Sequence, residues 1–286
     1  MSAAGDAHAL AAAAKRRDRL HLYDEWRFKT GSGPTQIGFS ADGRYAYAAN
    51  LNGKSVTGYS VDSSSGALRQ LAWSPFTMAR WPFQIALNRE RNLAYVVTYD
   101  SLETFAIAGG TFRSVGAAPL EQFGGFVSGL SIDRRAKRLY MSHDFAGTIT
   151  VNAIDRQTGM LRLPAAENIK AGDHPRAMVI DPTGRFLYVT SIPKQATILG
   201  YGIDARTGLL AALATSPFKG ADGADAMTIT PNGAYLYATD FGSDRVSGFA
   251  IDAATGALSQ LAGSPFTAGV GLQGIVSCRR SRSGCN

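Results

Sequence analysis

Short apolar runs, each broken after four to eight residues by Gly, Asp, Ser or Pro, continue along most of this chain. SVTGYSVD (55–62), TITVNAID (148–155), TILGYGID (197–204) and RVSGFAID (245–252) alternate with a period of two, the signature of strands with one buried face. Apolar stripes at helical spacing are not the theme. The pattern predicts many short strands joined by tight turns, hence an all-β protein.

The strands repeat. GRYAYAAN (43–50), NLAYVVT (92–98), KRLYMSHD (137–144), GRFLYVTS (184–191) and GAYLYATD (233–240) align, with Tyr47, Tyr95, Tyr140, Tyr188 and Tyr237 spaced by 48, 45, 48 and 49 residues. TGxL-type turns at Gly66, Gly159, Gly208 and Gly256, and the tripeptide SPF ending at Phe76, Phe218 and Phe266, keep the same period. Each unit reads as four strands. The first ends at a turn such as Ala41-Asp42-Gly43, the second carries the tyrosine, the third alternates, and the TGxL turn leads into the fourth. Four antiparallel strands in about 40–50 residues make a β-propeller blade. The repeated tyrosines and SPF phenylalanines are expected in the core.

The expected organisation is a tail or short helix over 1–17, propeller repeats over 18–277 and a basic tail over 278–286. Within the repeats lie five complete units with partial strands at both ends. Residues 18–28 align with a fourth strand, and LQGIVS (272–277) occupies a first-strand position.

Charge alters the picture little. The net +7 of the 286 residues comes mostly from the ends: residues 1–20 carry +2, and Arg279, Arg280 and Arg282 add +3, leaving +2 for the body. A terminal excess without interleaved aromatics argues against a nucleic-acid surface. No apolar stretch of about 18 residues is present, so no ordinary membrane helix is expected. Charges follow the Ala9–Ala14 run instead of preceding it, unlike a secretory leader, and a cytoplasmic location is the default expectation. Cys278 and Cys285 offer no disulfide framework and no zinc set. GVGLQG (269–274) fits a dinucleotide pattern, but no helix follows it, so no cofactor or metal is implied.

The PxxIxxxxDGRYAYxxN and TGALxxLxxSPF motifs at this period resemble the lactonase-type seven-bladed propellers, the family of bacterial 6-phosphogluconolactonase and the fungal carboxymuconate cyclases. The resemblance spans residues 18–277 and implies a seven-bladed ring, of which this chain is an apparently shortened version. Open sheet edges would then favour a dimer. It also implies a sugar-lactone hydrolase, 6-phosphogluconolactone-like, taking a small lactone or sugar derivative. The family's Pro-Arg-His motif resembles Pro175-Arg176, with Ala177 in place of the histidine. Ser191 and Ile192 stand where the family has Asn-Glu, and Val127 where it has another histidine. These departures leave a second reading, a non-catalytic propeller that binds a ligand or protein on its loop face or a degenerate remnant.

Lactone hydrolysis requires a base for water, a donor for the developing oxyanion and, for a phosphorylated sugar, cations. Loops before the first strand and after the second share one face. They would bring His143, Asp144, His174, Arg176 and Asp225 to one mouth. His143 is the expected base and Arg176 the oxyanion or phosphate partner, these two forming the catalytic pair. Asp144, His174 and Asp225 are expected to bind substrate. The bland reading has Asn50, Asp100, Asp144 and Asp240 capping their own turns and His143 as a surface or turn histidine.

Overall fold

The structure is a computed structural model. It describes residues 28–40, 42–88, 90–133, 137–163, 165, 167–191, 197–220, 224–240, 243–268 and 275, and backbone alone at 8–9, 12–15, 19–22, 280–281 and 284–285. Among these residues, five antiparallel sheets succeed one another along the chain, each with its four main strands in simple up-and-down order. Each is a propeller blade, as the repeats predict.

The chain divides into two compact units. The first, Met1–Ala117 with Arg280–Asn286, contains two blades. Blade 1 comprises Pro34–Phe39, Tyr45–Asn50, Ser55–Val61 and Leu68–Gln70. Blade 2 comprises Pro82–Asn88, Leu93–Thr98, Ser101–Ala108 and Thr111–Pro119, its last strand ending just past the unit boundary. The second unit, Ala118–Arg279, holds three blades. Their first strands are Gly129–Ile132, Pro175–Ile180 and Ala224–Ile229, and their second strands Arg138–His143, Phe186–Ser191 and Tyr235–Asp240.

Within each unit, adjacent blades bury apolar faces against one another. Tyr47, Ile85, Leu87, Val96, Phe105 and Phe112 form the core between blades 1 and 2. Tyr140, Ile149, Leu187 and Val189 do so between blades 3 and 4, and Tyr188, Ile198, Leu236 and Phe249 between blades 4 and 5. Each wholly buried Leu, Ile or Phe contributes about 1.5–3 kcal/mol. The repeated tyrosines are buried as expected, and their hydroxyls have a further use. Tyr140 donates to Gly208 O at 2.9 Å and Tyr188 to Gly256 O at 2.7 Å, so each ties its blade to the glycine turn of the next. Tyr47 does the same to Gly110 O at 3.3 Å.

The SPF tripeptides also have a specific job. From the phenylalanine of each, a two-residue strand, Phe76–Thr77, Phe218–Lys219 or Phe266–Thr267, pairs with the third strand of its own blade. The SPF serines accept the amides of Gly58, Gly200 and Gly248. At Gly200 and Gly248 a Cβ would lie 2.8 and 2.9 Å from the SPF phenylalanine ring, so the third strand must carry glycine there. Only Phe218 of the three is fully buried; Phe76 and Phe266 are half-buried.

At the chain ends the described backbone is paired in short strands. Ala12–Lys15 pairs with Arg19–Leu22, and Phe28–Lys29 pairs with His8–Ala9. Arg280–Ser281 pairs with Gly284–Cys285. The first strand expected at 272–277 lies outside the described residues, apart from Ile275.

Candidate active site

In the second unit, the first strands of blades 3, 4 and 5 pack side by side. The residue after the leading proline or its equivalent lies in a β-bulge: pairing with the second strand slips between Pro175 and Met178 in blade 4 and between Ala224 and Ala226 in blade 5. The same slip recurs at Thr35 and Phe83 in the first unit. A bulge re-aims the side chain it frees. Arg176 and Asp225 occupy this position in neighbouring blades, and the Arg176 Nη1 donates to Asp225 Oδ1 at 2.7 Å.

The backbone beneath Arg176 is tightly held. Ser142 Oγ donates to Arg176 O at 2.6 Å, and Ser128 Oγ to Pro175 O at 2.6 Å. Gly129 of blade 3 lies so close that an added Cβ would overlap Arg176 O. The guanidinium, 40% exposed, also directs Nε toward Asp144 Oδ2 at 3.6 Å.

Asp144 follows the second strand of blade 3, with its side chain 10% exposed. Its Oδ1 lies 2.6 Å from Nδ1 of His174, which is 55% exposed. A carboxylate here accepts, so His174 carries its proton on Nδ1 and turns Nε2 away from the pair. His174 holds a φ of 48°, in the left-handed region that non-glycine residues rarely visit. Four of the five expected residues therefore come together as a chain, His174–Asp144–Arg176–Asp225. Beside it opens a cleft of about 370 Å³, lined by Asp144, Phe145, Gly147, Lys170, Asp173 and His174 among others.

His143 is elsewhere. Its side chain is wholly buried. Nδ1 lies 3.3 Å from Gly125 O, which can only accept, so the ring proton sits on Nδ1. Nε2, 2.9 Å from Thr150 Oγ1, then accepts the threonine hydroxyl, while Thr150 in turn accepts from Asn152 Nδ2 at 3.1 Å. The lone pair that a base would use is already occupied. Burial lowers the His143 pKa below its usual value, only partly opposed by hydrogen bonds to the Gly125 and Phe126 backbone.

The repeat explains why. Three residues past the second-strand tyrosine stand Asn50, His143 and Asp240. Each bonds a third-strand hydroxyl seven residues later: Asn50 to Thr57 at 2.7 Å, His143 to Thr150 at 2.9 Å and Asp240 to Ser247 at 2.9 Å. These are cross-strand ties, not the turn caps expected for Asn50 and Asp240. Asp144 also departs from that reading, bonding His174 instead of its own turn. Asp100 is paired with Arg80.

Sequence reasoning overlooked Phe145, whose ring is 80% exposed by residue area and packs against Phe126 at a centroid distance of 5.7 Å. The only signal was an aromatic in a polar turn. Among the described residues no three His, Cys, Asp or Glu side chains gather as a metal ion would require. Of the family positions that differ, Val127 and Ala177 are buried and Ser191 donates to Asp173 O, while Ile192 lies outside the described residues.

Two overlapping stretches, residues 8–167 and 107–223, match the family model described as "Lactonase, 7-bladed beta-propeller". The 6-phosphogluconolactonase of Pectobacterium atrosepticum is 27% identical over 169 residues, covering 51% of this chain and 50% of that protein. The chain thus spans about half the length of the curated relatives it matches. Among solved structures, a protein from Lactobacillus plantarum superposes with a TM-score of 0.70 at 16% identity, covering 91% of this chain and 85% of that one. The periplasmic gluconolactonase of Pseudomonas aeruginosa superposes at 0.56 and 18% identity, covering 91% and 97%. At such identities the structural likeness concerns the fold.

Proposed function

Because this chain belongs to the lactonase family of seven-bladed β-propellers, we propose that it hydrolyses a sugar lactone at the Asp144–His174–Arg176 cluster. The observation that carries this reading is the 2.6 Å contact between Asp144 and His174 at the edge of an open cleft, with Arg176 on the other carboxylate oxygen. Asp144 fixes the tautomer of His174, leaving Nε2 to take a proton from water. The resulting hydroxide adds to the lactone carbonyl carbon. Arg176, whose Nη1 is held by Asp225, offers its remaining N–H groups to the oxyanion as charge develops. Collapse of the tetrahedral intermediate breaks the ring C–O bond, and the His174 imidazolium returns its proton to the departing alkoxide. One water is consumed and one hydroxy acid released.

In this scheme His174, expected from sequence to bind substrate, is the base, and His143 holds the scaffold beneath it. His174 is exposed, so His174→Gln leaves folding intact and is expected to lower kcat/KM for glucono-1,5-lactone by about 10²–10⁴. Arg176→Ala is expected to lower kcat more than it raises KM. A folded wild-type protein that does not accelerate lactone hydrolysis above the spontaneous rate, followed by pH-stat titration, would remove the proposal.

A further inference from the structure

The proposed reading leaves open whether the lactone carries a phosphate, and the charge arrangement bears on that question. Phosphate recognition relies on cations whose donors are free to form paired bonds to its oxygens. Arg176 is the guanidinium at the cluster, and its Nη1 and Nε already face Asp225 and Asp144. Lys170 is the cation that lines the cleft beside it, exposed on the blade's outer strand. Against these two stand three carboxylates: Asp144, Asp173 and Asp225. Among the described residues Arg176, Lys170 and these three carboxylates therefore sum to one more negative charge than positive. A phosphate dianion entering here meets repulsion on balance.

The apolar side of the cleft points the same way. Phe145 projects into solvent on the cleft wall, its exposed aromatic face backed by Phe126. Ligand sites combine such an apolar wall with a few placed polar groups. A sugar ring, apolar on its C–H face and polar at its rim, would lie on Phe145 with its carbonyl toward His174 and Arg176.

We infer that the cleft takes an uncharged, non-phosphorylated sugar lactone, laid against Phe145, in preference to a phosphorylated one. This rests on the hydrolase reading above. The test compares initial rates for glucono-1,5-lactone and its 6-phosphorylated counterpart with the full chain at low salt. The neutral lactone is expected to show at least a tenfold higher kcat/KM. Phe145→Ala should raise KM for it at least fivefold with kcat within twofold, and Phe145→Tyr should restore it. Asp173→Lys, which reverses an exposed charge on the cleft rim, should narrow the preference at least fivefold. Equal or better turnover of the phosphorylated lactone overturns this inference and leaves the hydrolase reading standing. Turnover of neither by the folded protein overturns both, and an unchanged KM in Phe145→Ala removes the aromatic platform.

Discussion

His143 offers the sharpest test of the site's chemistry, since sequence position favours it as the base and geometry assigns it to the scaffold. In His143→Ala, Gly125 O loses its described side-chain donor, and the space of a buried ring is left behind. The buried Thr150 hydroxyl also loses its acceptor; leaving such a donor unsatisfied costs about 1–3 kcal/mol, and with the lost packing the total is about 2–4 kcal/mol. Gly125 O is only half-buried and can turn to water, which keeps the cost toward the lower end. His143→Asn installs the residue that blade 1 uses at the equivalent position, where Asn50 reaches Thr57 at 2.7 Å. Its expected cost is about 1 kcal/mol, one net hydrogen bond. Urea unfolding followed by tryptophan fluorescence measures both. Because burial depresses the folded-state pKa of His143, the unfolded chain takes up the proton first. That contribution to stability is complete above the unfolded value of about 6.5 and is lost as pH falls through the lower folded value. The stability gap between wild type and His143→Asn should therefore shrink from pH 7 to pH 5. Lactone hydrolysis by the folded asparagine variant should remain within about threefold of wild type, less than 1 kcal/mol in the barrier. A loss of a hundredfold or more, with stability retained, would restore His143 as the base and refute the assignment to the scaffold.

Other expectations concern the framework. Gly129→Ala should destabilise the protein by more than about 3 kcal/mol, since the new methyl meets backbone at Arg176 and not a movable side chain; thermal unfolding reads this directly. Tyr188→Phe removes the donor to Gly256 O without changing the core's shape, and about 1–3 kcal/mol should be lost in urea. The blade-turn aspartates Asp155 and Asp252 accept backbone amides of their own turns, which pulls their pKa values below the usual carboxylate range. Their contribution is present above the unfolded value of about 3.9 and disappears as pH falls through the lower folded values. Asp252→Asn should consequently resemble wild type most closely at the acid end of a pH–stability series, and a gap that widens toward acid would contradict this.

Much of the framework could be read from local patterns. The 45–49-residue spacing of the tyrosines, the alternating third strands and the glycine turns each express a short-range rule, and repetition five times made them mutually confirming. Glycines 66, 159, 208 and 256 all hold φ values between 74° and 77°, as their turn positions require. The site was legible only as a set of loop positions. Asp144, His174, Arg176 and Asp225 lie on two loops and two bulged strands, and their grouping follows from blades standing side by side. The departures arose where side-chain direction mattered. His143 and Asp144 are adjacent in sequence, yet strand alternation sends one inward to Thr150 and the other outward to His174.

The sequence by itself determined the repeat, the four-stranded blade and the glycine turns, because those depend on period and turn chemistry along the chain. Tertiary structure decided which histidine is buried and which faces solvent, which carboxylates occupy Arg176 and where an aromatic surface meets the cleft. Those outcomes depend on burial and on hydrogen bonds between blades. Residues some thirty to fifty positions apart become partners only once the sheets have packed.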